Sequence, residues 1–163
     1  MPPANRPLAA ASVLDRLLDD DPRASQEAPG AGLFNLDQHK RSVARDLEAL
    51  LNARCCKAQV ELLEGYPQAR DTCLGFGITD LGSLSMANPD HRMLLREEIR
   101  RAIVRFEPRL GQVRVHLEVP GEAGRVLRFR VEALLRLHPR RPPVAFDALL
   151  KLSSNGCQVR SQG

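Results

Sequence analysis

The chain has 163 residues, of which 43% are hydrophobic, a formal net charge of +4, one tyrosine and no tryptophan. That is enough apolar material for one core and too little chain for a second catalytic domain. No apolar run approaches the roughly 20 residues of a membrane span, and the N-terminus lacks the basic-then-apolar order of a secretory leader. Cys55, Cys56, Cys73 and Cys157 form no C-x-x-C pair, so the sequence reads as a cytosolic protein with buried or incidental thiols.

Residues 1–32 are rich in Pro, Ala and Gly and read as a flexible arm with one ordered place. Ser12 can cap a helix and Asp15 can answer it three residues on, ahead of a small apolar face of Val13, Leu14, Leu17 and Leu18. Such a helix either folds back on its own domain or docks on a partner, and Leu14, Leu17 and Leu18 are its candidate contact residues. After an Ala28-Pro29-Gly30 linker the domain proper spans 33–160, with 161–163 as a tail. Asp37 is placed to cap a stronger helix whose face is Val43, Ala44, Leu47, Leu50 and Leu51.

Asn88-Pro89-Asp90 provides a cap, a proline at the first helical position and an acid in the first turn. Leu95, Ile99, Ala102, Ile103 and Phe106 then share one face, while Arg92, Arg96 and Arg100 form a separate stripe. Glu97 and Glu98 face Arg101 at four- and three-residue spacing. Past Pro108 the period becomes two. Val113, Val115, Leu117 and Val119 alternate with Gln112, Arg114, His116 and Glu118, and 120–124 reads as a hairpin loop. Leu127, Phe129, Val131, Ala133, Leu135 and Leu137 form the return strand, and Val144, Phe146, Ala148, Leu150 and Leu152 a further one after Pro142-Pro143. The expected fold class is α+β, a small mainly antiparallel sheet of three to four strands packed against helices.

No enzyme constellation emerges. The four histidines fall on separate elements and read as surface residues, no metal-ligand or cofactor motif is present, and Gly75-Phe76-Gly77 reads as a turn. Glu107 sits two residues from a positive charge, a poor setting for a general acid, and has no facing carboxylate. The basic balance leaves a small nucleic-acid-binding module as the alternative reading. Against it, Phe129 and Phe146 fall in the buried phase, and the outer face carries Arg114, Arg128, Arg130 and Arg136 without aromatics.

The most informative stretch is Phe106-Glu107-Pro108-Arg109-Leu110, where helix gives way to strand. Proline fixes its own φ and pushes Glu107 out of the helical region, so Glu107, Pro108 and Arg109 make a geometrically held charged turn. It is either a helix stop with a local salt bridge or a pair aimed at a partner.

Together with Ser12 to Leu17, Ser42 to Asn52 and Leu74 to Leu81, this stretch resembles the TssE family of type VI secretion baseplate subunits, relatives of phage tail baseplate wedge proteins. The family's turn with a proline reads Phe76-Gly77-Ile78-Thr79-Asp80 here, without it. The resemblance implies a non-enzymatic part of a contractile injection machine, with no cofactor, small-molecule substrate or nucleic acid. It implies a cytoplasmic place in a baseplate docked at the inner membrane, without insertion into it. The implied partners are TssF, TssG and TssK in the wedge, and the contractile sheath (TssB/TssC), whose strands pair on the baseplate by β-augmentation. Glu107 and Arg109 carry over as the family's motif. They are expected to meet neighbouring chains, with an internal clamp as the other possibility.

Overall fold

A computed structural model describes residues 9–18, 32–55, 61–62, 65–70, 72–79, 85–118, 126–137, 141–151 and 156–162. Asp80, Leu81, Val119, the 120–124 loop, His138, Leu152 and most of the arm lie outside them. Four strands, β3 (Leu110–Leu117), β4 (Val126–Leu135), β5 (Pro143–Lys151) and β6 (Gly156–Ser161), form an antiparallel meander in chain order. Two long helices, α2 (Leu36–Asn52) and α3 (Pro89–Phe106), contribute to the same core as the sheet. A two-stranded ribbon, β1 (Ala9–Ala10) with β2 (Leu33–Phe34), brackets the short helix α1 (Val13–Leu17). The fold is α+β as expected.

Sequence periodicity explains the layers. The inward residues of β4, Leu127, Phe129, Val131, Ala133 and Leu135, are all buried, as are Val144, Phe146, Ala148 and Leu150 of β5. Val43, Leu47, Leu50 and Leu51 of α2 and Leu95, Ile99 and Ile103 of α3 join them in one cluster. Each such side chain contributes about 1.5–3 kcal/mol on leaving water, so these apolar faces decide where the helices sit. The opposite face of the sheet carries exposed Arg114, His116, Arg128, Arg130 and Glu132.

Several details depart from the sequence reading. The cap of α2 is Asn35: its side chain accepts from Gln38 N at 2.9 Å while Gln38 Oε1 accepts from Asn35 N at 2.9 Å. Asp37 instead lies in the first turn, where a negative charge suits the helix dipole. The β3 alternation is broken by a bulge between Gly111 and Arg114, with Gln112 at φ 52°, so that Leu110 and Val113 both point inward. Leu137 lies beyond the end of β4 and is still buried. β6 was not foreseen, having only Cys157 and Val159 as inward residues, and neither was the ribbon of two-residue strands.

Candidate functional site

Helix α3 stops where Pro108 requires it to stop. Glu107 leaves the helical region at φ −122° and ψ 77°, with its N–H still donating to Ile103 O. The turn folds the Glu107 carboxylate back under Arg109: Oε1 accepts from Arg109 N at 3.2 Å and from Arg109 Nε at 2.7 Å, and Oε2 accepts from Nη2. Glu107 is only 4% exposed. The charged pair is therefore not presented as an exposed turn, because its carboxylate is enclosed by its own chain. Burial alone would disfavour the Arg109 charge, but the bonds from Glu107 and Asp46 outweigh it and raise the pKa further.

Arg109 reaches on to α2. Nη1 donates to Ser42 Oγ at 3.0 Å and Nη2 to Asp46, two residues one turn apart on the same helix face. Ser42 Oγ in turn donates to Asp15 Oδ2 at 2.7 Å, and Arg45 pairs with Asp15 at 2.8 Å and with Asp46 at 2.8 Å. Asp15, Asp46, Arg45, Arg109 and the Ser42 hydroxyl so close a ring, joined by Glu107 through Arg109, that ties the α3–β3 turn, α2 and α1 together. Burial opposes the Asp15 charge, yet the bonds from Ser12, Ser42 and Arg45 prevail and hold its carboxyl below the usual range. His39, expected at the surface, lies buried beneath the ribbon, edge-on to Phe34 and 3.4 Å from Ala9 O, and burial lowers its pKa. The sequence named Glu107 and Arg109 but missed Ser42, Asp46, Arg45 and the onward reach of Asp15. Their four-residue spacing on α2 was visible; that a turn more than 60 residues away would meet it was not.

Helix α1 forms as its cap predicted, with Ser12 Oγ accepting from Asp15 N at 3.1 Å. The Asp15 side chain is sequestered, whereas Val13, Leu14, Leu17 and Leu18 are all at least half exposed. The Glu107–Arg109 turn and α1 are thus linked through Ser42 and Asp15. The 74–81 motif segment meets the same C-terminal end of α3: Phe76 packs edge-on against Phe106, centroids 5.3 Å apart. Gly77 (φ 115°) is required there, since a Cβ would come within 2.6 Å of Ala53 O.

The two sheet edges differ. Along β6 the outward backbone is capped by α2 side chains: Asn52 bonds both N–H (2.8 Å) and C=O (2.9 Å) of Cys157, Glu48 accepts from Val159 N at 2.8 Å, and Lys40 donates to Gln162 O at 3.2 Å. Burial, and after it the Glu48 charge, pushes the Cys157 thiol up to about 12, which makes it an inert core residue. On β3, Glu118 N–H donates to Arg128 O at 2.9 Å, so the alternation of an antiparallel ladder aims the Val115 and Leu117 backbone groups away from β4. Among the described residues no strand pairs with that side. A groove of about 340 Å³ runs beside it, lined by Arg92, Met93 and Arg96 of α3 and by Val115, His116 and Leu117.

Among the described residues there is no cluster of three metal-ligating side chains, and no helix is long and apolar enough to cross a membrane. The basic sheet face is partly neutralised, Arg130 by Asp147 at 2.9 Å, and His116 lies 3.4 Å from Glu132.

Among the described residues the meander has one edge with no paired strand and one edge capped by α2, with the apolar side of the short helix α1 exposed. Residues 37–140, well over half of the chain, match the family model described as baseplate wedge protein gp25, and the chain belongs to that family. The match contains α2 from its second residue, α3, β3, β4 and the whole Glu107-Pro108-Arg109 turn, while the ribbon, α1, β5 and β6 lie outside it. No curated protein matches the chain. The family gives the chain a structural role in a phage-tail-like baseplate, among other baseplate components.

Proposed function

We propose that the chain is a type VI secretion baseplate subunit that joins the wedge with TssF, TssG and TssK and nucleates the contractile sheath (TssB/TssC) on the cytoplasmic side of the inner membrane. The observation that carries this reading is the β3 edge, which no other described strand pairs, with the Val115 and Leu117 backbone groups aimed outward beside an open groove. A sheath strand laid along it would gain a row of backbone hydrogen bonds, and the groove would set its register through alternate side chains.

In this reading Glu107, Pro108 and Arg109 act first as an internal brace that fixes where β3 begins. The exposed quarter of the Arg109 side chain (26%) and the adjacent Leu14, Leu17 and Leu18 then face the wedge partners. The nucleic-acid alternative is less well supported, because among the described residues the exposed sheet face carries no aromatic side chain.

The test is made in cells that lack this chain and carry a fluorescent sheath protein. Sheath assembly should be absent and should return with the intact chain, and the chain should co-purify with wedge proteins. Normal sheath formation in its absence, or retention on nucleic acid with a steep salt dependence and no protein partners, would refute the proposal.

A further inference from the structure

We infer that Arg92 and Arg96 of α3 select the strand that adds to β3, admitting one that carries carboxylates on alternate residues of the face turned toward the helix. This rests on the reading above that a strand pairs along β3, and it adds the chemistry by which that strand is recognised.

Backbone pairing is nearly indifferent to sequence, so an open edge needs side chains to choose its occupant. The groove beside the edge supplies them. Where α3 runs beside β3, the lining is apolar at Pro89, Met93, Val115 and Leu117 and positive at Arg92 and Arg96. Arg92 is held in place, its Nη1 donating to Met86 O at 2.8 Å and to Ala87 O at 3.3 Å, so its charge is fixed without being neutralised by a carboxylate. Arg96 is exposed and forms no ion pair among the described residues. The two lie one turn apart, about 6 Å along the helix axis. Alternate side chains of a strand are about 6.6–6.8 Å apart. A strand laid along β3 with acids at i and i+2 therefore meets both guanidinium groups at once.

The acids of the neighbourhood leave that charge standing. Among the described residues no carboxylate lines the groove. Asp90 sits about a third of a turn round α3 from Arg96. Glu97 is engaged by Arg100 at 2.8 Å and by Arg101 at 3.0 Å, and Glu98 by Arg101 at 3.7 Å. Glu118 is in phase with His116, on the sheet face turned away from the helices, and Glu132 stands beside His116 on that same face. Residues 119–125, outside the described residues, bring one acid and one base, Glu122 and Arg125. The helix side of the edge is thus positive, which favours incoming carboxylates and disfavours lysine or arginine there. It also disfavours a second copy. Antiparallel pairing of two β3 edges would set the two α3 helices side by side across the seam, with Arg92 and Arg96 of each facing those of the other. The same pair so keeps free chains apart while leaving the edge open.

The test places a photo-crosslinking p-benzoylphenylalanine at Met93, which is 56% exposed, in the full chain in cells that carry a fluorescent sheath protein. Crosslinked peptides identified by mass spectrometry should come from a sheath chain and carry Asp or Glu at i and i+2. Arg96→Glu should lower the crosslink yield and the number of assembled sheaths about tenfold, whereas Arg96→Lys retains both and neither variant moves the melting transition. One of the two crosslinked carboxylates, changed to lysine in the sheath chain, should restore assembly with Arg96→Glu. The Arg96 variants are also scored without the crosslinker, so a block caused by the bulky group at Met93 still leaves the outcome decided. Crosslinks to a second copy, to this chain itself, to nucleic acid or to a segment without paired carboxylates would overturn the inference. So would normal assembly in Arg96→Glu, an equal loss in Arg96→Lys, or a failure of both lysine exchanges to restore assembly. If sheaths form normally in cells without the chain, the parent reading falls together with this one. If they require the chain and ignore the charge at Arg96, only this inference falls.

Discussion

The two edges of one small sheet are treated in opposite ways. At β6, α2 spends Glu48 and Asn52 on closing the outward backbone of a six-residue strand, and Lys40 on Gln162 just past its end. At β3, an eight-residue strand is left with no neighbour among the described residues, although α3 runs close by. An unprotected strand edge is an aggregation hazard that soluble proteins ordinarily blunt. In the proposed reading, a chain that blunts one edge and leaves the longer one without a paired strand among the described residues takes an added strand in one direction only, as a template for ordered growth requires.

The comparison can be broken hardest at the start of β3. Arg109→Ala leaves the buried Glu107 carboxylate without its guanidinium partner, and losing one member of a buried pair costs about 3–5 kcal/mol. Melting should fall by on the order of 10 °C, with sheath assembly lost as a consequence of instability. An unchanged melt with lost assembly would mean instead that the pair acts on a partner. Next in size, Glu48→Ala combined with Asn52→Ala uncovers β6. Each orphaned backbone group costs about 1–3 kcal/mol, and the amides of Cys157 and Val159 should begin to exchange rapidly with deuterium.

A smaller effect is expected from Asp15→Asn, which loosens the arm without touching either edge. The folded pKa of Asp15 is depressed, so its stabilising contribution is complete above the unfolded value of about 3.9 and is lost as pH falls through the lower folded value. Urea titrations should therefore separate Asp15→Asn from the wild type at pH 7 and converge as the medium becomes strongly acidic. Least of all should come from Arg101→Ala, whose partners Glu97 and Glu98 sit on the exposed side of α3. An unmoved melting transition would confirm that exposed pairs are decoration by comparison with the enclosed ring.

The layers of this fold were legible because each follows a local period. The α2 and α3 faces and the strands β3 to β5 could be read from spacing alone, as could the Ser12 and Asn88 caps and the stop at Pro108. What escaped has little local pattern or depends on distant chain. β6 offers two inward residues, the ribbon two-residue strands, and the bulge at Gln112 only a spacing of three between Leu110 and Val113. Of the site, Glu107 and Arg109 were visible as a pair, but their burial depends on Ser42 and Asp46, and the capping of β6 depends on Glu48 and Asn52, more than 100 residues away. His39 was misjudged for the same reason: the ribbon that covers it could not be foreseen.

Amide hydrogen exchange on the free chain and on the chain within a sheath-bearing baseplate tests the central claim most directly. The account predicts that Val115 and Leu117 exchange readily in the free protein and become strongly protected on assembly, while Cys157 and Val159 are protected in both states. Protection gained at β6, or β3 amides that stay as fast in the assembled baseplate as in the free chain, would contradict it.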